Sequence, residues 1–252
     1  MKKPGTVADK TGMLPHSGGG STAPHAGIDP AVLRAVPLFR DFEDDALLEL
    51  ARLFTVQRYR KHETIFREGD PGETFYIVIS GSVAVVRHGE GRRETILSIL
   101  TDGDFFGEMS VFDTSVRSAS IRTLTVAEIA SLGRDEFLAQ IDRSPRVGRL
   151  LVIALAERLR AANGLIAAAT SQDIRSRLAA LLMNLMDHFG EAGEGGTRIG
   201  LRLTNQEMAN MIGTTRETVN RALNRFWDEH IIDMSAGTIV IAEPAKLKAL
   251  LV

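Results

Sequence analysis

The sequence predicts an α+β fold in which a small antiparallel β-barrel is followed by a long helix and by a domain of short helices with a β-wing. Three observations predict this order. Between residues 55 and 135, short stretches rich in Val, Ile, Phe and Thr alternate with glycine turns. Beyond Pro145, apolar residues recur at helical spacing. Around residues 204–217, two threonine caps specify two short helices.

The composition is that of an ordinary globular protein and excludes several classes of site. The 252 residues include 30 Lys and Arg against 32 Asp and Glu, which gives a net charge of −2. With no cysteine, the chain has no disulfide, thiolate-bound zinc, iron–sulfur cluster or cysteine nucleophile. Pro4 and Gly5 stand where a secretory signal would be apolar, and the apolar run 150–156 is too short to span a bilayer. We therefore expect a cytoplasmic protein without a membrane partner.

The first half of the chain divides into a tail and a β-rich domain. Residues 1–27 are rich in Gly, Pro, Ser and Thr and predict a disordered tail. Apolar residues between Phe42 and Leu53 predict a short helix after an acidic start. The barrel follows, and its strand candidates are residues 75–79, 83–87, 94–100, 118–124 and 126–132.

The long helix carries a seam of apolar residues spaced 4, 3, 4 and 3 apart, which is typical of helix pairing. The seam residues are Leu155, Leu159, Ala162, Ile166 and Ala169. A helix buried against its own barrel is one interpretation. Because the small alanines suit close approach of a symmetry mate, we favour a homodimer. The cap-forming residues that interrupt the seam predict a hinge at Thr170, Ser171, Gln172 and Asp173.

The last third contains a predicted helix-turn-helix. Two segments have a Thr followed three residues later by Glu, at Thr204–Glu207 and Thr214–Glu217, and each predicts a capping box. Gly213 suits the tight turn between the two helices. Apolar pairs around 231–232 and 239–241, separated by Ala236 and Gly237, predict a hairpin that forms a wing.

The second of these helices has a polar face with the chemistry to read bases. Val219, Leu223 and Phe226 form its apolar stripe, and Arg216, Glu217, Asn220 and Arg221 lie on the other side. Arginine can bond guanine O6 and N7, and glutamate can accept from cytosine N4. The alternative is a solvated helix face. Residues 170–252 hold 9 Arg and Lys against 10 Asp and Glu, so attraction to phosphates must be local.

The segments 203–207 and 213–221 resemble the CRP/FNR family of bacterial transcription regulators, and residues 30 to 245 follow the family's order of domains. The resemblance implies a tail at 1–27, a sensory domain of the jelly-roll type at 28–143, a dimerisation helix with hinge at 144–171 and a winged helix-turn-helix at 172–252. It implies a homodimer on a TGTGA-like palindrome and RNA polymerase as a partner. The expected DNA-contacting residues are Thr204, Gln206, Thr215, Arg216, Glu217, Asn220 and Arg221.

Two further segments, Gly107–Glu108–Met109 and Arg117–Ser118, resemble the phosphate-binding cassette of cyclic-nucleotide-binding domains. Arg117 would supply charge-assisted hydrogen bonds to the cyclic phosphate, and Ser118 and backbone amides the neutral ones. Glu108 would accept a hydrogen bond from the ribose 2′-hydroxyl, and Gly107 allows close approach of the backbone. The alternative is a turn glycine beside a weak surface ion pair.

The identity of the base is open at the sequence level. Relatives that respond to cyclic AMP present a hydroxyl pair from the dimer helix, and the matching residues here are Ala162 and Asn163. Cyclic AMP is our first choice, with cyclic GMP or another nucleotide as alternatives, and we expect no cofactor. The histidines are isolated in sequence, so we assign no metal. Two alternative hypotheses are a regulator that needs no nucleotide and a nucleotide-binding module that acts through protein partners. Enzyme motifs such as GxxxxGK[ST], HExxH and GxSxG are absent.

Overall fold

A computed structural model describes residues 24–89, 94–113, 115–169, 173–193, 195–234 and 237–251. Within these ranges, the N-terminal domain (residues 24–143) consists of short strands and four short helices. Its elements are β1 (His25–Ala26), α1 (Pro30–Ala35), α2 (Asp44–Leu53), β2 (Thr55–Tyr59), β3 (Thr64–Phe66), β4 (Thr74–Ser80), β5 (Val83–His88), β6 (Glu94–Leu100), β7 (Phe105–Phe106), α3 (Glu108–Asp113), β8 (Ser120–Thr123), β9 (Ala127–Gly133) and α4 (Arg134–Arg143).

These strands form two antiparallel sheets with apolar side chains between them. One sheet has the order β1-β2-β9-β4-β7 and the other β3-β8-β5-β6. Val78 and Ile129 of the first sheet share an apolar cluster with Val83 and Ile121 of the second. All four are at most 3% exposed. The α+β class and the β-rich N-terminal domain expected from the sequence are therefore confirmed.

The structure corrects some boundaries in this domain. His25 and Ala26 pair with Val56 and Thr55, so these two residues of the predicted tail belong to a strand. Helices α1, α3 and α4 were not predicted. Helices α1 and α3 have six residues each, which hold too few periodic positions to stand out. Strand β8 is shorter at both ends than the predicted 118–124, because residues 118 and 119 belong to the preceding loop.

Two helices connect the domains. Helix α5 runs over Pro145–Ala169 and α6 over Ile174–Phe189. Val147 and Leu151 anchor the start of α5 in the core of the N-terminal domain. The predicted hinge residues Thr170, Ser171 and Gln172 lie outside the described residues. Asp173 is the N-cap of α6, where its side chain accepts a hydrogen bond from the amide of Arg175.

The C-terminal domain (residues 173–251) places the helix-turn-helix beside a small sheet. Its remaining elements are β10 (Gly190–Gly193), β11 (Gly196–Ile199), α7 (Asn205–Ile212), α8 (Arg216–Asp228), β12 (Ile232–Asp233), β13 (Val240–Ile241) and α9 (Pro244–Ala249). The sheet order is β10-β11-β13-β12. The predicted wing hairpin is present as β12 and β13. The glycine-rich stretch after α6 forms the hairpin of β10 and β11.

The predicted N-cap is confirmed for α7 and differs by one residue for α8. Thr204 and Glu207 form the predicted capping box at α7. Gly213 ends α7 in the left-handed conformation with φ of 67°. The prediction for α8 was wrong by one residue, because its N-cap is Thr215, whose side chain accepts from the amide of Thr218. Glu217 therefore stands one position too early to close a capping box.

In the described part of the chain, no helix is long and apolar enough to cross a membrane.

Candidate functional site

The loop between β7 and α3 requires a glycine at position 107. Gly107 has φ of 80°, a conformation that other residues rarely adopt. A Cβ atom there would lie 2.6 Å from Nη1 of Arg117 and 2.9 Å from the carbonyl oxygen of Thr74. The absence of a side chain therefore allows the guanidinium group to lie directly against the backbone of this loop.

Arg117 is a buried cation held by neutral acceptors. It lies just before β8 and is 4% exposed. Its Nη1 donates to the carbonyl of Gly107 at 2.9 Å and to Oγ of Ser110 at 2.8 Å, and Nη2 donates to the carbonyl of Thr74 at 2.9 Å. The guanidinium carbon also lies 4.3 Å from the centre of the Phe66 ring. This cage fixes the direction in which the guanidinium group points.

The charge of Arg117 is not neutralised by a direct ion pair with any of the described residues. Burial lowers the pKa of Arg117 below its ordinary value, and the nearby Tyr76, Glu108 and Asp70 oppose that shift. Its Nε is buried and has no hydrogen-bond partner within the described ranges. A buried cation of this kind favours an anion close by.

Glu108 begins α3 and is also buried, with 5% exposure. The alternative of a surface Glu–Arg pair is therefore wrong for both residues. Arg158 of α5 donates to Oε1 of Glu108 at 3.3 Å and also bonds the carbonyl of Phe105. Sequence reasoning missed Arg158. Its position four residues before Ala162, one turn earlier on the same helix face, is the signal that could have indicated it.

The remaining predicted ligand residues are Met109, Ser118, Ala162 and Asn163. Ser118 is exposed and its hydroxyl lies 3.5 Å from the sulfur of Met109, which is 55% exposed. Ala162 is exposed on α5, on the same helix as Arg158. Asn163 lies in α5, but its side chain is outside the described part of the structure. The structure thus brings Gly107, Glu108, Arg117 and α5 together at one end of the N-terminal domain.

The polar face of α8 is exposed as the sequence predicts. Val219, Leu223 and Phe226 are at most 2% exposed and face the domain core. The side chains on the opposite face are exposed, and these are Arg216, Glu217, Asn220 and Arg221. Helix α8 thus presents both cationic and anionic groups from its first two turns.

A hydrogen bond joins the start of α7 to α8. Nδ2 of Asn205 donates to Oδ1 of Asn220 at 3.1 Å, which fixes the amide of Asn220 on the exposed face. The hydroxyl of Thr204 serves the capping box with Glu207, and Nε2 of Gln206 donates to Oδ1 of Asn210 at 2.8 Å. Both Thr204 and Gln206 are exposed, beside the N-terminal amides of α7. Such a helix terminus can bind a phosphate.

Two family models match the chain over most of these elements. The cyclic nucleotide-binding domain matches residues 56–144, which include the loop around Gly107 and Arg117. The Crp-like helix-turn-helix domain matches residues 176–250, which include α7 and α8.

A CRP-like cAMP-activated global transcriptional regulator of Mycobacterium tuberculosis is 33% identical over 216 residues, which are 86% of this chain and 96% of that protein. The chain belongs to the CRP/FNR family of transcription regulators. It is a DNA-binding regulator with a cyclic-nucleotide-binding domain, and its domains and relatives are those of transcription regulators, not of enzymes.

Solved structures of the CRP/FNR family have the same fold. A CooA mutant from Carboxydothermus hydrogenoformans superposes with a TM-score of 0.72 at 25% identity, over 88% of this chain and 95% of that one. The c-di-GMP responsive global regulator CLP of Xanthomonas campestris superposes with a TM-score of 0.65 at 29% identity, over 77% of this chain and 95% of that one. One of these relatives is named as cAMP-activated and another as c-di-GMP responsive, so members of the family respond to different ligands.

Proposed function

We propose that this CRP/FNR regulator is a homodimer that a cyclic nucleotide, with cyclic AMP as first choice, switches for binding to a TGTGA-like palindrome. The observation that carries the proposal is the buried guanidinium of Arg117, which neutral acceptors hold next to the buried carboxylate of Glu108. A buried cation with a carboxylate nearby matches a ligand that carries a phosphate and a hydroxyl on one rigid ring.

The phosphate is assigned to Arg117, Ser118 and the nearby backbone. The cage around Arg117 holds the guanidinium in place before the ligand arrives, so binding costs little side-chain entropy. The hydroxyl of Ser118 is exposed and can turn from Met109 to a phosphate oxygen. Met109 and Gly107 would then border the ligand on the loop side.

Glu108 is assigned to the ribose 2′-hydroxyl. Its Oε1 is engaged by Arg158, and a carboxylate oxygen can accept more than one hydrogen bond. Arg158 therefore orients the carboxylate and links it to α5. A ligand that bonds Glu108 thereby acts on the helix that leads to the C-terminal domain.

The base is assigned to Ala162 and Asn163 of α5. An asparagine amide both donates and accepts, which suits an adenine edge, whereas Ala162 offers no hydrogen bond. Cyclic GMP or another nucleotide is the competing ligand. The missing hydroxyl at Ala162 is also what favours the rival regulator that needs no nucleotide.

The operator is assigned to α8 and the start of α7. Arg216, Glu217 and Arg221 would read base edges of the half-site, with Asn220 beside them. Backbone phosphates would be bound by Thr204, Gln206 and Thr215, whose positions at two helix N-termini place amide groups toward an anion.

The homodimer is assigned to α5. Val152 is 66% exposed and Leu159 is 62% exposed, and Leu155 and Ala162 lie on the same face. An exposed apolar stripe on a 25-residue helix is typical of a subunit interface. Two copies would place two α8 helices on the two half-sites of a palindrome. RNA polymerase is the expected partner of the DNA-bound dimer.

Fluorescence anisotropy of a labelled TGTGA(N6)TCACA duplex at fixed salt tests these assignments, with cyclic AMP, cyclic GMP or no nucleotide. We expect cyclic AMP to tighten duplex binding. The variant Arg117→Leu should weaken cyclic AMP binding by at least about tenfold, because hydrogen bonds to charged groups contribute about 1.5–3 kcal/mol. Arg34→Leu is the matched control, because Arg34 also donates to two backbone carbonyls but lies on α1.

Three outcomes would contradict parts of this proposal. Equal duplex binding with and without nucleotide would support the regulator that needs none. A wild-type response in Arg117→Leu would reject the phosphate assignment. By linkage, the duplex must tighten nucleotide binding by the same factor by which nucleotide tightens duplex binding, and equal nucleotide affinities with and without the duplex would reject the allosteric switch.

A further inference from the structure

The C-terminal domain is docked on the N-terminal domain through α7. Helix α7 contacts strand β6. Val86 of β5 and Ile96 of β6 belong to the same buried apolar cluster as Met208 and Ile212 of α7. The first helix of the helix-turn-helix thus lies against the sheet β3-β8-β5-β6.

A charged cluster borders this apolar contact. Nη2 of Arg122, on β8, donates to Oε1 of Glu94 at 2.7 Å, and its Nη1 lies 4.0 Å from Oε1 of Glu207 on α7. Nδ2 of Asn210, also on α7, donates to the same Glu94 oxygen at 3.4 Å. Nδ1 of His62 lies 3.2 Å from Nη1 of Arg122. Arg122 is therefore the cation that two carboxylates from different domains share.

The cluster is shielded enough to matter energetically. The side chains of Arg122, Glu94 and Glu207 are 20%, 26% and 9% exposed. Ion pairs at such sites are screened less by salt than those on the surface. If the arginine charge is lost, two partly buried carboxylates are left facing each other, which is unfavourable. The contact between the domains therefore depends more strongly on a single residue, Arg122, than a purely apolar contact would.

Arg122 lies between the two functional sites. Ser118 lies in the loop that leads directly into β8, and Arg122 follows it by four residues, within the strand. On the other side, Oε2 of Glu207 accepts from the amide and hydroxyl of Thr204, whereas its Oε1 faces Arg122. A movement of β8 would thus reach the carboxylate that caps the N-terminus of α7.

We propose that Arg122 is a positioning residue that sets the orientation of the helix-turn-helix and transmits the nucleotide effect from β8 to α7. The transmission part rests on the nucleotide control proposed above, whereas the positioning part does not. The connection through α5 and the hinge is then one of two routes between the domains.

Hydrogen exchange of the full-length protein tests the positioning part. Arg122→Gln should speed amide exchange in β6 and in α7 relative to wild type, with α8 less affected. Arg87→Gln is the matched control, because Arg87 on the adjacent strand β5 forms an ion pair with Glu68 at 2.9 Å but does not involve α7. Arg122→Lys keeps the charge and should restore part of the protection.

Operator binding tests the transmission part with the same variants. The factor by which cyclic AMP tightens duplex binding should fall at least about threefold in Arg122→Gln, since residues of one charge network couple measurably. That factor should be unchanged in Arg87→Gln. Nucleotide affinity without DNA should stay near wild type in both, which separates lost coupling from a damaged nucleotide site.

The outcomes separate this proposal from the nucleotide assignment. Equal exchange in Arg122→Gln and Arg87→Gln would overturn the positioning role. Faster exchange with an unchanged cyclic AMP factor would overturn the transmission role and leave coupling to the hinge. If wild type shows no nucleotide effect, the nucleotide assignment fails. In that case, the positioning role is supported if Arg122→Gln speeds exchange and shifts the operator Kd at least about threefold. It is overturned if the exchange rate or the operator Kd stays at the Arg87→Gln value.

Discussion

The exposed face of α5 gives a direct test of the homodimer through Leu159→Glu. Leu159 is 62% exposed in the single chain. Burying a whole leucine side chain contributes about 1.5–3 kcal/mol, so covering this exposed part contributes about 1–2 kcal/mol per copy. Two copies lose about 2–4 kcal/mol, and the carboxylates must in addition be desolvated next to each other across the twofold axis.

This loss corresponds to a dimer Kd raised at least about 30- to 700-fold, since each 1.4 kcal/mol is tenfold. Sedimentation velocity across a concentration series measures it. Leu48→Glu is the control. Leu48 is also an exposed leucine, at 43%, but it lies on α2 in the N-terminal domain and not on α5. We expect wild type and Leu48→Glu to sediment as dimers and Leu159→Glu as a monomer that binds the palindrome weakly. A dimeric Leu159→Glu, or a monomeric wild type, would refute the interface.

Two further predictions concern the C-terminal domain. Arg216→Ala should cost about 1–3 kcal/mol of operator affinity and relax the preference at one base pair of the half-site, which duplexes with single substitutions would measure. Asn224→Ala, at another exposed position on α8, is its control, and a uniform loss on all duplexes would contradict base reading. Phe226→Ala should lower the free energy of unfolding by about 3–5 kcal/mol, because the ring is fully buried among the helices of the domain. Urea denaturation measures this loss, and a change below about 1 kcal/mol would show that the site collapses around the smaller side chain.

Some features were fixed locally and could therefore be predicted. The capping box at Thr204 and the turn at Gly213 each depend on residues no more than four positions apart, and both features are present. The buried stripe of α8 follows from helical periodicity alone. The second cap was misplaced because Thr214 and Thr215 are both good N-caps, and the choice between them depends on how the turn packs.

Other features depend on residues far apart in sequence. The acceptors that surround Arg117 are Gly107, Ser110 and Thr74, and the last is 43 positions away. Arg158 reaches Glu108 across 50 positions. No local pattern encodes such contacts, because the partners meet only when the sheets and α5 have packed.

The sequence by itself determined the family, the order of the domains and the residue types at both candidate sites, because motif spacing and periodicity are local properties of the chain. Only the tertiary structure decided that Arg117 and Glu108 are buried, that Glu108 pairs with Arg158, and that Arg122 connects the two domains. Burial and ion pairing are set by the surroundings of a side chain, and those surroundings come from strands and helices that are distant in sequence.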